Sequence, residues 1–306
     1  MRAWRVTMKR LRTAYRGVRD FTLARKSNYA AFRRGLRQAA EGTRYFYLGP
    51  DAALTRLKSG HLLYVDPQDE DISAHLIGHG HWERWIHHVV LQLVHPGHHV
   101  VEVGANLGYY TVAMARRVGS DGSVTALEAN PRLAGLLRRS VDLNAYNGRV
   151  RVLDKAAADA PGRLSFVTSR RHSGGGHTRV VESAIGAETE VIDVESVRLD
   201  DLGLARADFI RLDAEGSEPL ILRGAAGLLQ NPDIVVCLEW SAIQMQCRAS
   251  MPEFVGWLAG QGFRFWKIEE TAALTPMEAH QMIDLNGCDV VMSRRPVKIR
   301  PMRAAY

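Results

Sequence analysis

The residues with the clearest chemistry are two acids and two glycines at the ends of adjoining strand patterns. Glu102 lies in an apolar strand that runs into Gly104, Gly108 opens a helical pattern, and Glu128 ends the next strand. Glycine lets the backbone approach a ligand closely. An acid before such a loop would repel a diphosphate but attract a cation, and Glu128 could accept hydrogen bonds from both ribose hydroxyls. Together these residues fit S-adenosylmethionine better than NAD.

A second acidic group follows the fourth strand of the pattern. Asp213, Glu215 and Glu218 fall within six residues at a strand end, an arrangement that is costly unless the acids face water, donors or a cation. We expect Asp213 to contact the transferred methyl group or the substrate hydroxyl. Glu215 is a candidate substrate contact, or with Glu218 it caps the next helix. Glu239 ends the fifth strand and could join Asp213 around a substrate; a divalent metal is the alternative, and we expect none.

Histidines offer a candidate base and a weaker metal signal. His177 follows the glycine-rich loop 173–176, which could close over a site, and its side chain would suit a general base near neutral pH. The alternative is an exposed loop histidine. His75 and His79 have the i,i+4 spacing of helical metal ligands, but without further motif residues we expect an ordinary histidine-rich surface.

Alternating strand and helix patterns must position these residues. Such alternation predicts a parallel sheet with helices on both faces and ligands beyond the carboxyl ends of the strands. An insertion at about 160–200 interrupts this alternation and is predicted to contain a hairpin. We expect strands at 99–104, 123–128, 149–154, 208–213, 233–239, 263–268 and 288–293, and helices near 108–118, 131–144, 217–229 and 251–260.

Composition and charge indicate a globular chain with a basic amino-terminal segment. The 306 residues are 46% hydrophobic, and the net charge of +7 is concentrated in residues 1–44. Residues 2–23 are predicted to form a basic amphipathic helix. The alternatives for this helix are packing on its own domain or on a second subunit, contact with an anionic membrane surface, and binding of nucleic acid. With no apolar run long enough to span a membrane and no secretion signal, a cytoplasmic protein is expected. We predict an extension at 1–44, a hairpin and helical region at 45–97, and a main domain at 98–306.

Three motifs resemble the FkbM family of S-adenosylmethionine-dependent methyltransferases. They are EVGANLGYYT at 102–111, LEANP at 127–131 and DFIRLDAEGSE at 208–218, supported by LRGA and CLEW further on. The resemblance covers about 98–295. It implies an α/β Rossmann-like class I methyltransferase fold, with a seven-stranded, mostly parallel sheet that has one antiparallel strand near an edge. It also implies methylation of hydroxyl oxygens on sugars or polyketide-type natural products.

The resemblance also implies roles for individual positions. Glu128, with Ala129 beside it, would hold the ribose, and Trp240 is a further candidate substrate contact beside Glu239. The other positions expected to bind S-adenosylmethionine are Glu102, Gly104, Asn106 and Gly108 at the methionine part, Asp154, Ala156 and Ala157 at the adenine, and Asp213 near the methyl group.

Two other functions remain open from the sequence. A nucleic-acid methyltransferase would use the basic segment to bind phosphate, although the rest of the chain is mildly acidic. A non-catalytic scaffold would tether partners through the same segment, although the cofactor motifs are intact. Our main expectation is methyl transfer to a hydroxyl of a cell-surface glycan, a glycolipid or a natural product.

Overall fold

The structure is a computed structural model that describes residues 44–178 and 189–302. The amphipathic helix predicted at 2–23 lies outside these residues. The described chain opens with a small antiparallel sheet in the order β1-β2-β3, as the hairpin pattern predicted. Its strands are β1 (Tyr45–Tyr47), β2 (Ala53–Arg56) and β3 (Leu62–Val65).

A large mixed sheet of eight strands forms the centre of the fold. Its order is β14-β13-β15-β12-β11-β4-β5-β6, and β15 runs antiparallel to both of its neighbours. All seven predicted strands are present, and the eighth, β14, pairs with β13 at the edge. The strands are β4 (His99–Val103), β5 (Ser123–Leu127), β6 (Val150–Leu153), β11 (Phe209–Leu212), β12 (Val235–Trp240), β13 (Arg264–Ile268), β14 (Leu274–Met277) and β15 (Cys288–Ser293).

Helices pack on this sheet, and one helical prediction needs correction. The helical region expected within 45–97 is present as two helices, and Gly80 adopts a left-handed conformation that ends the first one. The helix expected at 217–229 ends at Arg223, and Asp200 then accepts the backbone N–H groups of Gly227 and Leu228. The main helices are Ile72–His79, Arg84–Leu93, Tyr109–Val118, Pro131–Leu143, Glu218–Arg223 and Met251–Gly260.

The insertion forms a second small sheet beside the main one. Its order is β7-β10-β8-β9, with β8 and β10 paired antiparallel over eight residues. The Gly-rich loop follows β8 and contains a short 3-10 helix, Ser173–Gly175. The strands are β7 (Ala156–Ala157), β8 (Gly162–Ser169), β9 (His177–Thr178) and β10 (Thr189–Val197).

The two motif glycines allow the chain to pack closely against itself. A Cβ on Gly104, whose φ is +76°, would lie 1.8 Å from the carbonyl oxygen of Asp213. A Cβ on Gly108 would lie 2.2 Å from a methyl carbon of Leu137. Gly104 therefore lets the end of β4 pack against the end of β11, and Gly108 lets the helix that follows it pack against the helix that contains Leu137. The sequence suggested that these glycines allow close approach to a ligand.

Within the described ranges, no helix combines the length and apolar character that a membrane crossing would require.

We expect Gly104→Ala to lower the free energy of unfolding by more than about 3 kcal/mol, because its Cβ would overlap a backbone carbonyl and the left-handed φ adds strain. Urea unfolding of purified protein measures the change. Gly135→Ala is the matched control, since its helical position has nothing within 4 Å of the added Cβ and alanine favours a helix. Equal stability of Gly104→Ala and wild type would contradict the packing argument.

A candidate cofactor site at the strand ends

A cleft of about 710 Å³ opens at the carboxyl ends of β4, β5, β6 and β11. Parallel sheets of this type bind ligands at that edge. Seven of the positions predicted to bind the cofactor line it: Gly104, Asn106, Glu128, Ala129, Ala156, Ala157 and Asp213. Residues that the sequence reasoning missed also line it, among them Ile72, Phe166, Thr168 and Ser217, together with Ser173, Gly174 and Gly176 from the glycine-rich loop that was expected to close over a site.

Glu128 ties the first two strand-end loops together. One carboxylate oxygen accepts the backbone N–H of Asn106 at 2.7 Å, and the other accepts that of Asn130 at 2.8 Å. Burial raises the pKa of Glu128 to about 7, against the opposing effect of these two hydrogen bonds. Each oxygen keeps a second lone pair, so the carboxylate can also accept a hydroxyl from the cleft.

The glycine-rich loop is held over the cleft by polar contacts. The side-chain amide of Asn106 donates to the carbonyl of Ser173 at 3.0 Å. Asp69 accepts both the backbone N–H and the hydroxyl of Ser173, at 3.1 and 2.8 Å. Asp69 is distant in sequence from this loop and belongs to no motif, so no local signal could have suggested its role.

Glu102 is placed behind the cleft. Its side chain is fully buried and accepts the hydroxyl of Thr111 at 2.5 Å, while its second oxygen has no partner among the described residues. Burial raises the pKa of Glu102 to about 7, although the nearby Arg211 guanidinium acts in the opposite direction. Glu102 therefore does not line the cleft. It can affect the site through its charge and by helping to position the loop.

Arg211 is the main site residue that the sequence analysis passed over. It lies in the middle of β11 with 4% of its side chain exposed, opposite Glu102 in the sheet register. Its guanidinium lies 3.0 Å from a carboxylate oxygen of Asp213, 3.8 Å from one of Glu83 and 3.8 Å from the ring centre of Tyr110. A charged residue inside the apolar strand Phe209–Leu212 was the signal that could have revealed it.

The acidic group predicted around Asp213 does come together. Asp213, Glu215 and Glu239 each place a carboxylate oxygen within 4.8 Å of the other two. Burial and the surrounding carboxylates, Asp213 first among them, raise the pKa of Glu239 to about 9. Glu215 has a left-handed φ of +50° and accepts a hydrogen bond from Gln244 at 2.8 Å. The acids are therefore at a single site.

A second cavity, of about 1190 Å³, opens on the far side of these acids. Glu239 lines it, and Trp85 supplies an aromatic side chain. Lys267 is 3.4 Å from Glu269, which leaves the lining mostly acidic. The charged residues that line it are Glu83, Glu239, Lys267, Glu269, Glu270 and Asp289.

Six predicted site residues line neither cavity: Glu102 and Glu215, described above, His177, described below, and Trp240, Asp154 and Gly108. Trp240 is fully buried, stacks on Phe254 and donates its indole N–H to the carbonyl of Met282, so it is a core residue and not a substrate contact. Asp154 is half exposed and pairs with Arg138. Gly108 contacts the core as described above.

His177 lies between residues that line the cleft. Its ring nitrogen Nδ1 is 3.0 Å from the carbonyl of Gly175, and its neighbours Gly176 and Thr178 line the cleft. Burial, with the nearby Asp213 carboxylate, raises the pKa of Glu215, and His177 is close enough to oppose that rise. The base role of His177 stays a prediction.

The charges of the cleft suit a cationic nucleoside. Among the described residues that line it, the charged ones are Glu128, Asp213 and Lys155, and Lys155 is paired with Glu195 at 2.7 Å. A diphosphate would meet two carboxylates here without a free cation, whereas a sulfonium group is attracted by them. Apolar side chains such as Ile72 and Phe166 offer a place for a purine ring.

We expect Glu102→Gln to flatten the pH dependence of stability. The folded protein keeps the Glu102 proton to about pH 7, whereas the unfolded chain loses it near its ordinary, lower pKa. Unfolding therefore releases a proton in this window, and stability is lost as the pH rises, by at most about 1.4 kcal/mol per pH unit. Urea unfolding at pH 5 and pH 8 should show a smaller loss for Glu102→Gln. The exposed Glu253→Gln should follow the wild type, and parallel profiles for all three proteins would contradict the assignment.

The chain matches a family model, and over a short stretch it is similar to a curated protein. A model described as the methyltransferase FkbM domain matches residues 102–265. A protein-L-isoaspartate O-methyltransferase from Methanopyrus kandleri is 41% identical over 58 residues, which make up 19% of this chain and 26% of that protein. The chain thus spans about a quarter of the length of this curated relative.

Two solved structures are similar at low identity. The methyltransferase FkbM from Methylobacillus flagellatus KT is 16% identical with a TM-score of 0.41, over 64% of this chain and 43% of that one. An O-methyltransferase from Bacillus cereus in complex with SAH is 16% identical with a TM-score of 0.40, over 69% and 80%. The family match covers more than half of this chain and includes the strand-end loops that form the cleft. The chain belongs to the FkbM family of S-adenosylmethionine-dependent methyltransferases.

Proposed function

We propose that the protein transfers a methyl group from S-adenosylmethionine to a hydroxyl oxygen of a sugar, in a cell-surface glycan, a glycolipid or a sugar-bearing natural product. The observation that carries this proposal is the acidic second cavity. Glu239 lines it, and one carboxylate oxygen of Glu239 lies within 4.8 Å of one on Asp213, which lines the cofactor cleft. An acceptor in that cavity would present its oxygen to the part of the cleft that Asp213 lines. The family membership supports methyl transfer, and the cavity supports the kind of acceptor.

The lining of the second cavity favours a polyhydroxylated acceptor. Carboxylates such as Glu239 and Glu270 accept hydrogen bonds from hydroxyl groups, and Trp85 offers an apolar surface for the face of a sugar ring. The same carboxylates would repel the phosphates of a nucleic acid. This charge supports a sugar hydroxyl over the alternative of a nucleic-acid acceptor.

The chain's own residues would align the acceptor and take up its proton. The bound donor supplies a methyl group on a positively charged sulfur. Asp213 is oriented by Arg211 through one carboxylate oxygen, which leaves the other free to accept the hydroxyl. Asp213 and Glu239 are the two carboxylates that would receive the proton, a role that contributes typically about 10²–10⁴-fold to rate. Because the pKa of Glu239 is raised to about 9, Glu239 would do so only once its own proton has been displaced. The loop at Ser173 lines the cleft and would limit access of water to the bound donor.

We expect Glu128→Gln to weaken binding of S-adenosylhomocysteine by at least about tenfold, since hydrogen bonds to a charged group contribute roughly 1.5–3 kcal/mol. Isothermal titration calorimetry measures the affinity. Urea unfolding of the same sample shows that the variant is folded, because Glu128 also joins two loops. Glu253→Gln is the control and should bind like the wild type. Unchanged affinity in a folded Glu128→Gln would remove the ribose role.

The reaction itself is tested with methyl-labelled donor and the full-length protein. We expect label to enter neutral mono- and oligosaccharides as a base-stable methyl ether, identified by mass spectrometry and NMR. RNA, DNA and protein acceptors are the comparison set. Label in a nucleobase or in a base-labile ester, with none in saccharides, would overturn the proposed acceptor class while leaving methyl transfer in place.

A further inference from the structure

We propose that Asp213, Glu215 and Glu239 bind a divalent cation of the Mg²⁺ or Mn²⁺ type, and that this cation holds the acceptor oxygen. The claim that the three carboxylates bind a cation depends only on their geometry. The claim that the cation holds the acceptor oxygen rests on the proposed function, which it deepens by assigning how the acceptor hydroxyl is held.

The three carboxylates come from two segments, Asp213 and Glu215 from the loop after β11 and Glu239 from β12. One oxygen from each lies within 4.8 Å of the other two. Ligands around an octahedral cation with bonds of about 2.1 Å lie roughly 3 Å apart, so small side-chain rotations would close the set. All three side chains are partly exposed, which leaves room for that movement and for water on the remaining positions.

Two of the three are already oriented through a single oxygen. Arg211 donates to one oxygen of Asp213 at 3.0 Å, and Gln244 donates to one oxygen of Glu215 at 2.8 Å. The second oxygen of each remains available for a cation. The side chain of Glu239 has no hydrogen bond or ion pair with any residue in the described ranges, so both of its carboxylate oxygens are available. Oriented outer contacts of this kind are what metal ligands need.

A fourth carboxylate points independently to a missing partner. Glu218 is 1% exposed, and one oxygen accepts the backbone N–H of Ala214 at 2.8 Å. Ala214 lies between Asp213 and Glu215, so this carboxylate is set directly against the loop that carries both ligands. Its other oxygen is buried without a partner in the described part of the chain. A buried acceptor is costly unless it is satisfied, and a cation-bound water would donate to it.

The ligand chemistry selects the cation. All the donors are carboxylate oxygens, which suit hard cations such as Mg²⁺ and Mn²⁺ better than zinc or copper.

The site lies between the cofactor cleft, which Asp213 lines, and the second cavity, which Glu239 lines. A cation there would stabilise the negative charge that develops on the acceptor oxygen. As the carbon–oxygen bond forms, the carbon–sulfur bond breaks with its electron pair left on sulfur, and the hydroxyl proton passes to the second oxygen of Glu239.

The test measures Mn²⁺ binding directly. Full-length protein is stripped with EDTA, dialysed and titrated with Mn²⁺, and the free ion is followed by electron paramagnetic resonance. We expect one saturable site per chain, at least tenfold weaker in Glu239→Gln and unchanged in Glu253→Gln. Glu239→Gln is chosen because no described partner is lost, and its thermal unfolding in EDTA should match the wild type. Non-saturable binding, or equal binding by Glu239→Gln, would overturn the site.

A second measurement separates this inference from the proposed function. Labelled methyl transfer is compared with EDTA and with added Mg²⁺ or Mn²⁺. We expect at least a tenfold loss in EDTA that the cation restores. Undiminished transfer in EDTA would overturn the role of the cation in holding the acceptor, while the proposed function would stand. Site-specific Mn²⁺ binding without transfer to any saccharide would overturn the proposed function and leave the cation site intact.

Discussion

The contact between Gly104 and the carbonyl of Asp213 is the constraint on which the site depends. The carbonyl oxygen occupies the space where any other residue at position 104 would place its Cβ. Because no side chain separates the ends of β4 and β11, Asp213 stands beside the first loop and faces the cleft. Two residues earlier in the same pair of strands, the oppositely charged Arg211 and Glu102 lie opposite each other. Backbone packing thus fixes where the charges of the site must be.

The acids of the site differ in how they are satisfied. Glu128 accepts two backbone N–H groups, one on each oxygen. Glu102 and Glu218 each have one satisfied oxygen and one without a described partner. The Glu239 side chain has no described partner on either oxygen. Buried or crowded carboxylates are stable only with donors or cations, so the need for a ligand is greatest on the side of Glu239.

Much of the fold followed from periodicity, and the errors had local causes. Seven strands of the main sheet were predicted because apolar runs alternated with helical patterns. β14 was missed because its sequence, Leu274–Met277, contains a proline, which an edge strand tolerates but a central strand does not. Trp240 was misassigned although strand geometry argued against it. Successive strand residues point to opposite faces, so a chain that turns Glu239 toward the site turns Trp240 into the core.

The sequence by itself determined the order of strands and helices, the glycines at the first loop and the acids at the strand ends, because these depend on residue type and short-range spacing. Only the tertiary structure decided which of those residues share a surface. The partnership of Asp69 with Ser173, the burial of Arg211 beside Glu83, and the meeting of Glu215 with Glu239 join segments that are separated in the chain. Such contacts are set by how the sheet, the insertion and the preceding helices pack together, and no local pattern encodes that packing.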